Sequence, residues 1–286
     1  MVTAGPGRRR MDRDGESTMT AILEELPELR AVPEAGGSKG EHQGTASVLK
    51  ALQLLDVFRD GGPVLGVSEI ARRVGVPTST AFRLLAYLVK SGFITKEDTQ
   101  YRLGDKLFEL GNQVALCRPK GLREQVSPYL GELYAATGLS VRLAVLEGDE
   151  VVIVDKIVGL RTMPAPTAIG GRVPVSCTAL GKAMLALQPD EHLTETLRGV
   201  LPQRTRYSIV EPQLLRRQLM EIRSTRLAFD REESILGQVC VAAPIVRDGL
   251  AIAAISLSAR TQQANQAPSI NALQRAAAHL ERLLAV

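Results

Sequence analysis

The sequence predicts an α+β protein of two domains, on three observations. The chain has 286 residues, too long for one ordinary domain and suited to two at roughly 100–200 residues each. From Ser47 onward three helical periodicities run in close succession and are followed by two short β-type stretches. Farther on, residues 239–246 and 250–257 flank Arg247-Asp248-Gly249, a strong hairpin signal, with helical patterns between and after the strands. Strands mixed with helices around an antiparallel hairpin are the mark of α+β.

Composition bounds the rest. Hydrophobic residues are 45% and charged ones 23%, enough for a sizeable core. Aromatics are only 3% and Trp is absent, so Leu, Val, Ile and Ala must fill that core. The longest apolar run, 239–246, has the length of a buried strand and not of a membrane span. Arg8-Arg9-Arg10 precedes no apolar stretch, so no secretory or twin-arginine signal is expected and the cytoplasm is the expected compartment. Cys117, Cys177 and Cys240 lie far apart without a C-x-x-C pair, and His42, His192 and His279 are isolated. A disulfide scaffold, a metal site and a cofactor are therefore not expected. The net charge of +4 permits an anionic partner, provided the basic groups are placed locally.

Residues 1–44 mix Gly, Pro, Ser and charge and read as a disordered tail. Val48, Leu49, Leu52, Leu55 and Phe58 then recur at helical spacing, with Ser47 as the expected cap and Gly61-Gly62-Pro63 as the stop. A second short helix fits 68–74, with Ser68 as N-cap and Glu69 in the first turn, where the helix dipole favours it. Gly75-Val76-Pro77 forms the turn, and a third helix runs over 78–90. Two β-type segments, 93–96 and 100–103, complete a winged helix-turn-helix over 45–104. A helical linker is expected over 105–120, and a second domain over 121–286. That domain begins with a helix carrying Val126, Leu130, Leu133 and Tyr134, then strands over 140–146 and 151–158. Helices over 178–187, 211–227 and 270–284 surround the later hairpin.

The third helix carries the DNA-binding reading. Ala81, Leu84, Leu85 and Leu88 share one face and belong in a core, while Ser79, Phe82, Arg83 and Ala86 share the other. Thr78, Ser79 and Thr80 open that helix. Small hydroxyl side chains at a helix N-terminus approach the major groove closely, where they reach base edges while free N–H groups suit a phosphate. Arg83, one turn in, reaches a guanine edge or a phosphate. A hairpin that merely packs, with Thr78 or Ser79 as N-cap, accounts for one hydroxyl but not for Arg83 or the wing.

The same residues carry a family resemblance. Ser68-Glu69-Ile70-Ala71, the run Pro77 through Leu88, Gly92-Phe93, Tyr101-Arg102-Leu103-Gly104 and the L-x-x-L-G of Leu107 to Gly111 resemble, in this order, the DNA-binding half of IclR-type bacterial transcription regulators. In the second half, Gly170-Gly171-Arg172-Val173-Pro174, Gly181-Lys182-Ala183 and the Phe229-Asp230 to Pro244 segment resemble the family's effector half. The resemblance implies double-stranded operator DNA as partner, with Ser47, Ser68, Thr78, Ser79, Thr80, Phe82 and Arg83 facing it, joined by Lys96, Tyr101 and Arg102 of the wing. A winged helix reads one half-site, so a near-palindromic operator and a homodimer or tetramer are expected, with residues 103–117 as the coupling and dimer element.

For the second domain the resemblance implies a GAF-like fold that binds a small organic-acid effector and represses a nearby metabolic operon. Carried over position by position, Thr178, Ala179, Leu180, Asp230, Cys240, Ser256 and Ser258 contact the effector. Met163, Ala165, Val175 and Ala242 supply apolar wall. The residues add some support, because Thr178 opens a helix after a Gly/Pro loop, where backbone N–H groups can hold a carboxylate. Gly181-Lys182-Ala183 lacks the framework of a phosphate-binding loop, and Lys182 is expected at the surface, solvated or paired. Asp230 beside Arg231, Glu232 and Glu233 can equally be a solvated charge run. Two rivals stay open: a thiol redox sensor using Cys177 and Cys240, and a thiol-nucleophile enzyme, for which no His lies near either cysteine in sequence.

Overall fold

The computed structural model describes residues 39–117, 120–159, 167–261 and 267–285. By compactness the chain divides into residues up to Gln53 and residues from Leu54 onward. Helix α1, Lys39–Gly61, belongs to both. It begins at Lys39, within the stretch expected as a tail, whose residues 1–38 lie outside the described residues, and Ser47 lies inside the helix instead of capping it. The extra turns are built from Lys39 to Ala46, which carry no apolar period that would reveal them in the sequence. Gly62, at φ 93°, ends α1 in a backbone conformation that a side chain disfavours.

From Leu54 onward a helix-turn-helix with a small sheet comes first. Strand β1, Leu65–Gly66, leads straight into α2, Val67–Val74. Gly66 therefore occupies the N-cap without a side-chain hydrogen bond, and Ser68 is a helical residue instead of the expected cap. Gly75 in the left-handed region closes α2, and α3 spans Thr78–Lys90. Its apolar stripe Ala81, Leu84, Leu85 and Leu88 is buried, each Leu contributing roughly 1.5–3 kcal/mol on burial. Strands β2, Ile94–Glu97, and β3, Gln100–Leu103, form the wing. The sheet has three strands in the order β1-β3-β2 instead of two, because Leu65 pairs with Tyr101. Two residues show no alternation, so β1 leaves no signal in the sequence.

The linker is shorter than expected. Helix α4, Asp105–Gly111, ends where Asn112 turns its side-chain amide back onto the Phe108 carbonyl at 3.0 Å. Turns, not helix, follow to Cys117.

The remaining residues form one antiparallel sheet covered on both faces. Helix α5, Leu122–Thr137, precedes strands β4, Ser140–Glu147, β5, Glu150–Ile157, and β6, Arg172–Pro174. Helices α6, Ala179–Leu185, α7, Asp190–Arg198, and α8, Pro212–Thr225, come next. Strands β7, Ala228–Arg231, β8, Gln238–Arg247, and β9, Leu250–Arg260, then lead to α9, Ala267–Leu284. The strand order is β6-β5-β4-β9-β8-β7. Asp248 and Gly249, at φ 53° and 82°, make the two-residue β8–β9 turn, since a primed turn requires positive φ at both positions. Alternation along the strands sorts the faces. Val241, Ala243, Ile245, Ala253, Ile255 and Leu257 pack with Leu130 of α5 and Leu273 of α9. Cys240, Ala242 and Ala254 turn the other way, into a core shared with α6, α7 and α8. Val175 and Ala242, expected as cavity wall, belong to that core. Among the described residues no helix is long and apolar enough to cross a membrane.

Candidate nucleic-acid interface and ligand cavity

The exposed face of α3 is free of structural duty. Pro77 occupies its N-cap without a side-chain hydrogen bond, and the Pro77 carbonyl takes the N–H groups of Thr80 and Ala81. Thr78 and Ser79 are exposed and cap nothing, which removes the capping account of these hydroxyls; Thr80 is half-buried. Phe82 and Arg83 stand exposed beside them. On α2, Glu69 holds Arg72 at 2.7 Å and Arg73 at 2.6 Å, and these guanidinium hydrogen bonds, Arg72 first, bring its carboxyl down to about 2. Arg83 by contrast has no ion-pair partner among the described residues and keeps its charge for a partner molecule. Lys96 is exposed, Arg102 is exposed and paired with Glu97 at 2.8 Å, and Ser68 is exposed on α2. Tyr101 departs from expectation. It is only 3% exposed, because alternation on β3 turns it inward between two exposed neighbours, so its side chain supports the wing and does not face DNA. Ser47 is half-buried within α1.

A second feature lies on the α6–α8 side of the sheet. A cavity of about 80 Å³ is walled by β4, β8 and β9, the start of α6, and Ser234 and Ile235 of the loop between β7 and β8. That is room for roughly three waters at about 30 Å³ each. Thr178, Ala179, Leu180, Asp230, Cys240 and Ser256 line it, while Ser258 stands behind the wall and Met163 and Ala165 lie outside the described residues. Thr178 caps α6 by accepting the Gly181 N–H at 3.1 Å.

The cavity's electrostatics come from residues the motifs did not single out. Arg142 on β4 is 8% exposed and lines the cavity. Its Nη1 donates to Ser258 Oγ at 2.6 Å, and no carboxylate pairs with it among the described residues. Ser256 Oγ and Gln238 Oε1, both buried at the same wall, find no hydrogen-bond partner among the described residues. Buried polar groups are ordinarily satisfied, and an unpaired buried charge is costly. A guanidinium, a hydroxyl and an amide oxygen converging on one cavity therefore form a site suited to a polar anion. Arg204 adds a second guanidinium at the exposed edge.

Asp230, 1% exposed, accepts hydrogen bonds from Glu233 N at 2.7 Å and from the Ser234 side chain, so it braces the loop that supplies Ser234 and Ile235. Burial pushes its carboxyl up to about 6, against the lowering effect of the Ser234 hydrogen bond. Stability carried by an acid raised in this way is complete at low pH and is lost as pH rises through about 6.

Two family models match the chain: the IclR helix-turn-helix domain over residues 47–98 and the bacterial transcriptional regulator IclR C-terminal domain over residues 115–282. The chain belongs to the IclR family. This IclR-family regulator is 34% identical to the HTH-type transcriptional regulator XynR of Escherichia coli K12, over 83% of its own length and 96% of the relative's. It is 31% identical to the transcriptional repressor IclR of the same organism, covering 74% of this chain and 79% of that one. Among solved structures it resembles an IclR homolog complexed with 4-hydroxybenzoate from Microbacterium hydrocarbonoxydans, with TM-score 0.76 and 27% identity over 82% of this chain and 98% of that one.

The IclR-family regulator is thus a DNA-binding transcription regulator and not an enzyme. Its thiols fit that role. Cys177 and Cys240 both line the cavity, and burial, followed by the nearby Asp230 carboxylate, pushes each up to about 11. Neither is a thiolate near neutral pH, the form that oxidation and nucleophilic attack require. Cys240 instead shares a 3.2 Å hydrogen bond with Ser258. Lys182, expected at the surface, is fully buried, with Nζ 2.6 Å and 2.8 Å from the two Glu233 oxygens and 3.1 Å from Gln218 Oε1. The Gly181-Lys182 motif is accordingly structural. A Cβ on Gly181 would stand 2.2 Å from the Val175 carbonyl oxygen, so glycine lets α6 lie against the Val175 backbone and sink Lys182 into the core. Asp230 and Glu233 are buried with it, so the acidic run is no solvated face.

Proposed function

We propose that this chain is a repressor switched by a small organic acid, and the observation that carries the reading is Arg142, a buried guanidinium at the cavity wall with no carboxylate partner among the described residues. The acid's carboxylate would take the free donors of Arg142, and a second polar group would meet Ser256 Oγ and Gln238 Oε1. The 4-hydroxybenzoate bound by the Microbacterium relative has both kinds of group, and the repressor among the relatives supports negative control. Acid binding would shift the placement of two winged helices on a near-palindromic operator, in a homodimer or tetramer, by no more than its differential affinity for the two arrangements. The test is operator binding by fluorescence anisotropy at fixed salt, using the promoter of the chain's own gene and a panel of aliphatic and aromatic acids that includes 4-hydroxybenzoate. One acid changing operator affinity supports the reading, and a panel without effect overturns it.

Two further outcomes are expected. Arg83→Ala should weaken operator binding about 10-fold or more, and random-duplex binding less; equal losses by anisotropy would make Arg83 a phosphate contact. The acid's affinity should rise about three- to ten-fold from pH 7.5 to 5.5 as Asp230 takes up its proton and ceases to repel the anion. Titration calorimetry on Asp230→Asn should show a nearly flat profile; a wild-type slope persisting in that variant would remove Asp230 from the linkage.

A further inference from the structure

Helix α3 presents an aromatic ring, Phe82, to solvent on the face that carries Ser79 and Arg83. Phe82 is 53% exposed, and the core beneath is filled by Ala81, Leu84, Leu85 and Leu88 without it. About half of this apolar side chain is left in water, and that half is open to a contact made outside the chain. Its surroundings narrow what that contact is. Ser79 and Arg83 lie on the same helical face, and Lys96 of β2 holds Nζ 5.7 Å from the Phe82 ring centroid and 5.9 Å from that of Tyr101. Because Tyr101 is buried and Lys96 exposed, the wing fixes an ammonium beside the ring. The ring is thus framed by a hydroxyl, a guanidinium and an ammonium, which is the neighbourhood of a phosphate backbone and not of an apolar protein partner.

Within that frame the hydroxyl and guanidinium can read hydrogen-bonding groups on base edges, whereas a phenyl ring cannot. The apolar feature that a base edge offers in the major groove is the C5 methyl of thymine. Tyr87, also exposed at 63%, sits five residues later, about 7.5 Å farther along the axis at 1.5 Å per residue. That is away from the N-terminal end through which such helices contact base edges, and its hydroxyl suits a phosphate.

We propose that Phe82 packs against the 5-methyl group of a thymine in each operator half-site, with Lys96 holding a neighbouring phosphate. The inference rests on α3 being the helix that enters the major groove.

The experiment separates the two. The full-length protein is used to select its preferred site from random duplexes, and each thymine in the selected site is then replaced singly by deoxyuridine. That exchange removes the methyl and keeps the base's pairing and hydrogen-bonding groups. Anisotropy at fixed salt should find one thymine per half-site whose replacement weakens binding about four-fold, the value of one buried methyl, and about fifteen-fold when both half-sites are changed. Phe82→Ala should bind the thymine and uracil duplexes alike, at the affinity the parent protein shows for the uracil duplex. Arg83→Ala should lose affinity yet keep the thymine preference. Phe82 is exposed, so its variant should melt with the parent protein, and a circular dichroism melt checks this. Uracil tolerated at every position, or a thymine preference that survives Phe82→Ala, overturns the proposal. A selection returning no preferred sequence overturns base reading by α3 itself. A Phe82→Ala protein with unchanged DNA affinity and altered self-association assigns the ring to a contact between copies of the chain and overturns the proposal as well.

Discussion

Arg142→Gln should bind operator as tightly as the parent protein and lose its response to the acid. Arg142 is buried at the cavity wall, holds one hydrogen bond to Ser258 Oγ, and has no carboxylate beside it among the described residues. The energetic consequence is asymmetric. Without ligand, the substitution removes an uncompensated buried charge and orphans no anion, so the domain should melt no lower than the parent. With ligand, it removes the charged partner of a desolvated carboxylate, a loss of about 2–5 kcal/mol, so the acid's dissociation constant should rise about 30-fold or more. Titration calorimetry with the acid identified by the panel measures this. Arg142→Lys should recover part of the affinity, since it restores the charge without the forked donors. An Arg142→Gln protein that still binds and responds would move the anion to Arg204 at the cavity's edge and end the reading built on Arg142.

The second large effect is on stability. Lys182 Nζ lies 2.6 Å and 2.8 Å from the oxygens of Glu233, with the lysine 0% exposed. Glu233→Gln leaves a buried ammonium facing neutral oxygens. Breaking such a pair from one side costs about 3–5 kcal/mol, equivalent to a melting shift of about 6–20 °C for a domain of this size. Thermal unfolding followed by circular dichroism should show it. Replacing both partners with apolar residues, Lys182→Met with Glu233→Leu, should recover most of the loss, because no charge then remains buried. Two single losses that simply add in the double variant would mean that the residues do not act as a pair. Glu233 neighbours Ser234 and Ile235 of the cavity wall, so Glu233→Gln should also weaken acid binding at temperatures where the domain is still folded.

Much of the architecture was legible because it is local. The boundaries of α3 follow from Pro77, the apolar spacing of Ala81, Leu84, Leu85 and Leu88, and the Ser91-Gly92 stop. The β8–β9 hairpin follows from Asp248-Gly249, residues that tolerate the positive φ its turn requires. The order of short motifs, each weak alone, was enough to indicate the family. Elements without periodicity, such as the two-residue β1 and the first turns of α1, escaped, and the linker helix ran short because the Asn112 amide folds back at its end.

The candidate site divides along the same line. The family resemblance named Thr178, Asp230, Cys240 and Ser256 as effector contacts, and all four line the cavity, while the hydroxyls and Arg83 of α3 came from the helical face. Only the tertiary structure decided that Arg142 points into the cavity, that Tyr101 turns inward and that Lys182 is wholly enclosed. Period-two alternation says which residues share a face of β4, but not whether that face meets water, and here helices cover both faces of the sheet. An arginine between Val141 and Leu143 thus reads as solvent-facing and is in fact buried. Likewise Lys182 meets Glu233 across 51 residues of chain, a separation that no local pattern spans: burial and partner are properties of the packed chain, whereas propensity and spacing belong to the segment.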